Sequence, residues 1–353
     1  MYYLDPYVRD VERIYNQNGR KGYLRLDLNE NPGGLPQPFL TEVMKCVTPE
    51  FVSQYPETDK FTQILADHLH IGCDNICLVN GSAEGIRYII QAFTSLHGRI
   101  VGVVPSYFMY QVYSEMYGRE FVQVNYDDDL SMNIDNIICE LTDETQMLVL
   151  MNPNNPMGNA YTDAEIQRIM SVAKEKQITV MIDEAYHYFY PKTFMEYALN
   201  EDHVFVVRTF SKLFSMAGCR LGYVVGRPEG IRMVQKLTTP HNTNAFAMEI
   251  AGKVITTPGV LDKLISDYQN GRKFLLDQLD AHGYAYKGDA GNFLFIKVNQ
   301  EDADVIVDRM KNEYHILIKS YQGIGDFGKC LRVSIGAAEY MEKFTTALFE
   351  IDK

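Results

Sequence analysis

Between about residues 75 and 226 the chain repeats one unit: a short run rich in Val, Ile and Met, a polar or glycine-containing break, then a longer stretch with helical spacing. The runs at 76–79, 100–104, 147–151, 178–182, 204–207 and 223–225 are predicted strands. Runs that are apolar on both faces and separated by helices belong in a largely parallel sheet covered on both sides. The helical period is plainest after the first run, where Ile86, Ile89, Ile90, Phe93 and Leu96 recur on one face.

A chain of 353 residues holds about two domains at roughly 150 residues each. A second texture begins near Pro240, with helical segments to about Ala281 and strand candidates at 292–298, 316–319 and 331–335 among further helices. That mixture reads as a smaller α+β domain. The expected division is a large domain over 46–245 and a small one formed by 1–45 with 246–353. The N-terminal stretch, with turn chemistry at Asn29-Glu30-Asn31-Pro32-Gly33-Gly34, then runs as an arm over the cleft. A net charge of −13 repels a phosphate backbone, so nucleic acid is not expected as the main partner. The longest apolar runs are far too short for a membrane span, and the first ten residues lack a basic-then-apolar signal. A soluble protein of the reducing cytoplasm is expected, its six cysteines free. Neither C-x-x-C nor H-E-x-x-H occurs, which gives a metal centre no support.

Ligands of open parallel sheets bind beyond the carboxyl ends of the strands, so the residues that follow each run matter most. Asn80-Gly81-Ser82-Ala83-Glu84-Gly85 opens a helix after the first run. It reads either as a phosphate cradle of backbone N–H groups and a hydroxyl, or as an ordinary helix start capped by Ser82. Pro105-Ser106-Tyr107 puts an aromatic at the rim, to stack on a planar ligand or simply to pack, in a chain with 24 tyrosines. In segment 152–158, Pro153 and Pro156 stiffen the backbone around Asn152, Asn154 and Asn155, as an amide-bearing site or as a loop corner. Asp183-Glu184-Ala185-Tyr186 places a carboxylate at the mouth of a buried strand, where it needs a cationic partner: it either holds a protonated ring nitrogen or serves as a structural salt bridge or helix cap. Arg208-Thr209-Phe210-Ser211-Lys212 carries a lysine that is either partly desolvated and nucleophilic or merely exposed. Arg220 follows before the next run.

Taken in order along one sheet edge, these groups resemble those of the fold-type-I pyridoxal-phosphate-dependent aminotransferases, and within them the histidinol-phosphate aminotransferase branch. The resemblance spans nearly the whole chain. It rests on Leu28-Asn29-Glu30-Asn31-Pro32, Gln54-Tyr55-Pro56-Glu57, Gly81-Ser82-Ala83-Glu84-Gly85, segment 152–158, Asp183-Glu184-Ala185-Tyr186, Ser211-Lys212 with Arg220, and Leu331-Arg332-Val333-Ser334. It implies a large α/β domain with a mostly parallel mixed sheet flanked by helices, plus a smaller α+β domain, and pyridoxal 5'-phosphate as cofactor.

The resemblance also implies roles. Lys212 would bind the cofactor aldehyde and shuttle a proton to and from the substrate. Asp183 would keep the pyridine nitrogen protonated. Tyr186 and Asn155 would hydrogen-bond the ring oxygen, and Tyr107 would stack on the ring. Ser82, the backbone around Ala83, Ser211, Arg220 and Thr209 would hold the phosphate. Tyr55 would reach that phosphate from the partner of a homodimer, with the active site at the interface. Arg332 would clamp a substrate carboxylate, with Lys319 and Asn31 beside the substrate.

Two departures leave the substrate open. Lys319 stands where this branch usually has an arginine for the substrate phosphate, and Gly336-Ala337-Ala338-Glu339 lacks its usual threonine, arginine and acidic run. The expected reaction is amino transfer between an amino acid, glutamate for preference, and a keto acid or phosphorylated keto compound. Decarboxylation of the threonine-phosphate type is the alternative, and a regulator that binds the cofactor without turnover is a third reading.

Overall fold

Short strands with no polar face have to be buried on both sides, and the computed structural model places them so. It describes residues 2–12 and 19–353; of the arm expected over 1–45, residues 1 and 13–18 lie outside the described residues. After a two-residue strand β1 (Leu24–Arg25) come β2 (Ile76–Val79), β3 (Arg99–Val104), β4 (Glu120–Asn125), β5 (Thr145–Met151), β6 (Thr179–Asp183), β7 (Val204–Thr209) and β8 (Gly222–Val225). The last seven form one sheet in the order β2-β8-β7-β6-β5-β3-β4. Strand β8 is antiparallel to both its neighbours, and every other pairing is parallel. The two reversals cancel, so the carboxyl ends of β2, β3, β5, β6 and β7 share one edge, and β8 begins there.

Strand periodicity divides the side chains between the two faces. In β5, Leu148 and Leu150 join one apolar cluster with Ile182 and Val206, while Met147, Val149 and Met151 join the other with Met181 and Val207. Each of these buried side chains contributes roughly 1.5–3 kcal/mol relative to exposure. The helix Ser82–Phe93 covers the second face through Ile86, Ile89 and Ile90. Leu96, expected to prolong that apolar stripe, lies beyond the helix end and is exposed. Strand β4 has no counterpart among the predicted runs. It sits at the sheet edge, and Val124 is its one buried residue, so selection for an unbroken apolar run is absent.

The later sequence forms β9 (Tyr286–Lys287), β10 (Phe293–Lys297), β11 (Ile316–Leu317), β12 (Lys319–Ile324) and β13 (Gly328–Ser334). An antiparallel sheet β12-β13-β10-β9 packs through Leu294, Ile296, Leu331 and Val333 onto a core that includes Leu275, Leu279, Ile306, Phe344 and Leu348. Segment 24–25 pairs in parallel with β11, and Leu26 is buried in this second core. The glycine of Gly336-Ala337-Ala338-Glu339 has a packing reason. A Cβ on Gly336 would meet Pro32 Cγ at 2.4 Å, and one on Gly271 of the crossing helix Val260–Ala281 would meet the Gly336 carbonyl at 1.7 Å. No helix among the described residues is long and apolar enough to cross a membrane.

Behind the carboxyl edge, Glu184 and Arg208 form an ion pair at 2.7 Å with side chains 1% and 3% exposed. Glu184 also accepts from Thr193 Oγ1 and the Phe194 N–H, which ties the segment after β6 to β7. Removing one partner of such a pair leaves a buried charge uncompensated. Glu184→Ala is therefore expected to destabilise the protein by about 3–5 kcal/mol, read as a lower midpoint in chemical denaturation. A loss under 1 kcal/mol would contradict the burial of this pair.

Candidate active site

Five strand ends and the start of β8 converge on one edge, and the sequence places polar groups at each of them. Past β7, Phe210, Leu213, Phe214 and Met216 are buried and anchor the loop, so that Lys212 is the residue left facing the edge. Its Nζ donates to the Leu28 carbonyl at 2.9 Å and lies 5.8 Å from the centre of the Tyr186 ring. Burial, reinforced by the Arg332 charge, pushes the amine down to about 8. Asp183 ends β6 and is 2% exposed. It accepts from Tyr110 Oη at 2.7 Å and from the Ala185 N–H at 2.9 Å, and has no ion-pair partner among the described residues. Burial raises this carboxyl to about 6, against the opposing pull of the Tyr110 hydrogen bond. Lys212 and Asp183 are close enough for each charge to act on the other's ionisation.

The remaining groups surround this pair. Tyr186 is buried, its phenol raised to about 12 by burial, and it accepts from Asn29 Nδ2 at 2.8 Å. Asn155 Oδ1 accepts from Arg332 at 3.0 Å and from Asn29 Nδ2 at 3.3 Å. Tyr107 stands at the rim, its ring edge-on to Tyr110 at 5.5 Å and 84°. Asp183 and Arg220 both act on its hydroxyl.

The helix Ser82–Phe93 begins at this edge with no side-chain cap. Ser82 is its first helical residue and Gly81 is the cap, so the reading of Ser82 as an ordinary cap does not hold. At Gly81, with φ +81°, a Cβ would meet the Arg220 guanidinium at 2.3 Å, and a Cβ on Gly222 would meet the Ser82 nitrogen at 2.6 Å. Both glycines let a cation and a strand approach the helix start. Arg220, itself at φ +53°, donates to Ser211 Oγ at 3.3 Å, and Thr209 Oγ1 donates to the same oxygen at 3.0 Å. Free N–H groups, two hydroxyls and a guanidinium together make an anion site.

On the small sheet, β12 and β13 set Lys319 directly opposite Arg332. Arg332 donates to the Asp27 carbonyl at 2.6 Å, while its Nε is buried without a partner. Lys319 is half-buried, lowered by burial and by Arg332, and has no hydrogen bond or ion pair among the described residues. Asn31 Nδ2 donates to Ser215 Oγ at 2.7 Å, and its Oδ1 accepts from the Gly33 N–H at 3.1 Å, so its amide already has partners at both ends. Asn31, Arg25, Glu30, Ser211 and Ser215 line an open recess of about 320 Å³ beside the lysine loop. Tyr55 is not brought to this edge. It is 79% exposed and stacks on His241 at 4.5 Å, beside a groove of about 390 Å³ that also includes Phe51, Phe61 and Met248.

A family model described as aminotransferase class I and II matches residues 21–348. The chain belongs to this family. Histidinol-phosphate aminotransferase 2 of Burkholderia pseudomallei (strain 1710b) is 32% identical over 336 residues, covering 93% of this chain and 92% of that protein. The crystal structure of histidinol-phosphate aminotransferase from Sinorhizobium meliloti in complex with pyridoxal-5'-phosphate superposes with a TM-score of 0.86 at 23% identity, over 99% of this chain and 98% of that one. L-threonine-O-3-phosphate decarboxylase from Porphyromonas gingivalis shares the fold, with a TM-score of 0.76 at 21% identity over 93% of this chain and 98% of that one.

This aminotransferase is a pyridoxal-phosphate-dependent enzyme, and the chemistry of the groups at this edge fits the cofactor. It has an uncapped helix start for a phosphate, a depressed amine for an aldehyde, and a buried carboxyl without a cation for a ring nitrogen. Sequence reasoning gave no role to Tyr110 or Asn29. Tyr110 lies three residues after Tyr107 at the same strand end, which is the one signal that pointed to it. Asn29 stood in a recognised motif but was read as turn chemistry.

In the unloaded protein Asp183 opposes folding, because its raised pKa leaves the folded state holding a proton that the unfolded chain releases. That cost is absent below about pH 4 and complete above about pH 6. Asp183→Asn is therefore expected to melt higher than the wild type at pH 7, by up to about 3 kcal/mol in stability, with the gain vanishing at pH 4. Calorimetry of cofactor-free protein at both pH values checks this; a variant less stable at pH 7 would refute it.

Proposed function

We propose that this aminotransferase exchanges an amino group between glutamate and a keto acid or phosphorylated keto compound, in two successive half-reactions at one site. The observation that carries the substrate class is the cross-strand pair Arg332 and Lys319, a buried guanidinium with a free Nε beside an ammonium with no partner. Two cations suit glutamate, which bears two carboxylates, and equally a phosphate dianion. Histidinol phosphate, named in the relatives, carries such a phosphate. Lysine offers it a point charge in place of the planar fork of an arginine.

Bound pyridoxal phosphate supplies an aldehyde that links to amines and a ring that takes up the electrons left when a proton departs from the substrate's α-carbon. Lys212, with its amine near 8, is proposed to take that proton and return it. Asp183 holds a proton on the ring nitrogen. Tyr186 and Asn155 donate to the ring oxygen, and Tyr107 covers the ring face. Ser82, the Ala83 N–H, Ser211, Thr209 and Arg220 hold the phosphate. Arg332 orients the substrate carboxylate, Lys319 meets a second anion, and Asn31 holds the wall of the cleft through Ser215.

The proposal includes a homodimer in the cytoplasm. Its support is the exposed apolar patch of Tyr55, Val52 and Phe246, which lies apart from the chain's own recess and from which Tyr55 would reach the partner's phosphate site. The division into 46–245 and 1–45 with 246–353 belongs to the same reading. The helix Ala245–Thr256 then serves as the junction, since it packs on Asp59–Leu69.

Borohydride should fix the cofactor on Lys212, found as one modified peptide by mass spectrometry. In a matrix of amino donors against 2-oxoglutarate and phosphorylated keto compounds, Lys319→Ala should raise KM for doubly charged substrates by about tenfold, or 1.4 kcal/mol. Alanine, with one carboxylate, should be nearly unaffected. An equal loss for alanine would remove Lys319 from substrate recognition, and carbon dioxide release without amino transfer would overturn the reaction.

A further inference from the structure

Segment 24–31 ties the small sheet to the recess. The Leu26 N–H donates to the Leu317 carbonyl and the Ser334 N–H to the Leu26 carbonyl, both at 2.8 Å, and two residues on the Leu28 carbonyl accepts from Lys212. Asn29 comes next, 1% exposed, at φ +58°, a left-handed conformation that asparagine tolerates better than most residues. Its backbone is held at both ends, the N–H by Ser334 Oγ at 2.8 Å and the carbonyl by Asn292 Nδ2 at 3.1 Å. The side chain therefore has one place to go.

Two groups in this cluster can only donate, and they set the direction of the remaining hydrogen bonds. The Asn29 N–H occupies Ser334 Oγ as an acceptor, so the Ser334 hydroxyl proton turns to Asn29 Oδ1 at 3.3 Å. That leaves Asn29 Nδ2 to donate to Tyr186 Oη and to Asn155 Oδ1. The Arg332 guanidinium requires an oxygen from Asn155, so the Asn155 Nδ2 faces away from it. Tyr186 has become an acceptor toward Asn29, and its own proton has no acceptor among the described residues. The result is two free donors, Tyr186 Oη turned by Asn29 alone and Asn155 Nδ2 turned by Arg332 with Asn29 on the same oxygen.

We propose that Asn29 is a positioning residue that commits Tyr186, and together with Arg332 holds Asn155, to donate to the cofactor's ring oxygen. The inference rests on the assignment of those two residues to that oxygen. Two donors there stabilise its anionic form, so that the linkage to Lys212 loses its proton at lower pH. Asn29 touches neither the cofactor nor the substrate and acts through its two neighbours.

The test is an absorbance titration of cofactor-loaded protein, reading the pH midpoint of the visible band. Asn29→Gly keeps the left-handed backbone and removes the amide; Asn29→Asp offers Tyr186 an acceptor in place of a donor. Both should raise the midpoint, Asn29→Asp by about one pH unit, the equivalent of one hydrogen bond to a charged group. A merely structural role would lower the melting temperature without moving the midpoint. In a Tyr186→Phe background the effect of Asn29→Gly should shrink, because half of what it orients is gone. Loaded variants with the wild-type midpoint overturn this inference alone, as does an undiminished shift in the Tyr186→Phe background. A wild-type protein that takes up no cofactor on Lys212 overturns the assignment and the inference together.

Discussion

An amine and a carboxyl at the same sheet edge, each displaced toward its neutral form, are the constraint on which the rest of this structure turns. Lys212 sits near 8 and Asp183 near 6 because burial disfavours both charges more than their mutual attraction restores them. Tension of this kind belongs to sites built for a ligand. On the proposed assignment, an aldehyde at the amine and a protonated ring nitrogen at the carboxylate would relieve both strains at once. The sheet's part is geometric: the reversed strand β8 brings Arg220 and Gly222 to the edge where β6 and β7 deliver Asp183 and the lysine loop.

The second sheet carries the residues proposed for the substrate, and the chain between β1 and Pro32 ties it to the lysine loop. Asp27 and Asn29 hold Arg332 and Ser334, Asn31 holds the lysine loop through Ser215, and Pro32 fills the space above Gly336. Because Lys319 and Arg332 are cross-strand partners, one register sets the spacing of two cations. A one-residue shift of β12 would turn Lys319 to the other face while β10 kept Arg332 in place. The proposed recognition of a doubly charged substrate would in this sense be a property of the register.

Most of the large sheet was legible in the sequence, since buried parallel strands are nearly pure apolar runs and helices carry their own period. Strand β4 was not, because an edge strand with polar residues at Glu120, Gln123 and Asn125 has no such run. Leu96 was assigned to the helix by spacing alone, although His97-Gly98 follows it and Gly98 is crowded by Gln146. At the site, Lys212, Asp183, Tyr186 and Arg220 follow strand ends or precede a strand, where position carries meaning. Tyr110 and Asn29 act through hydrogen bonds across long stretches of sequence, to Asp183 and Tyr186, and no local pattern encodes those partners. The packing reason for Gly336 was equally invisible, for it depends on Gly271 and Pro32, both remote in the chain.

The same long-range bonds connect substrate recognition with the state of the ring. Arg332 reaches Asn155 with one nitrogen and the Asp27 carbonyl with another, and its Nε is still free. A carboxylate arriving at that guanidinium must either add to the free Nε or displace Asn155. In the first case the Asn155 amide stays committed and the ring oxygen keeps two donors. In the second, Asn155 keeps the acceptor role toward Asn29 Nδ2 and gains freedom to swing. Either way the guanidinium proposed for the substrate also touches a group proposed for the cofactor. On the proposed assignment, occupancy of the carboxylate site would act on the proton at Lys212 through Asn155.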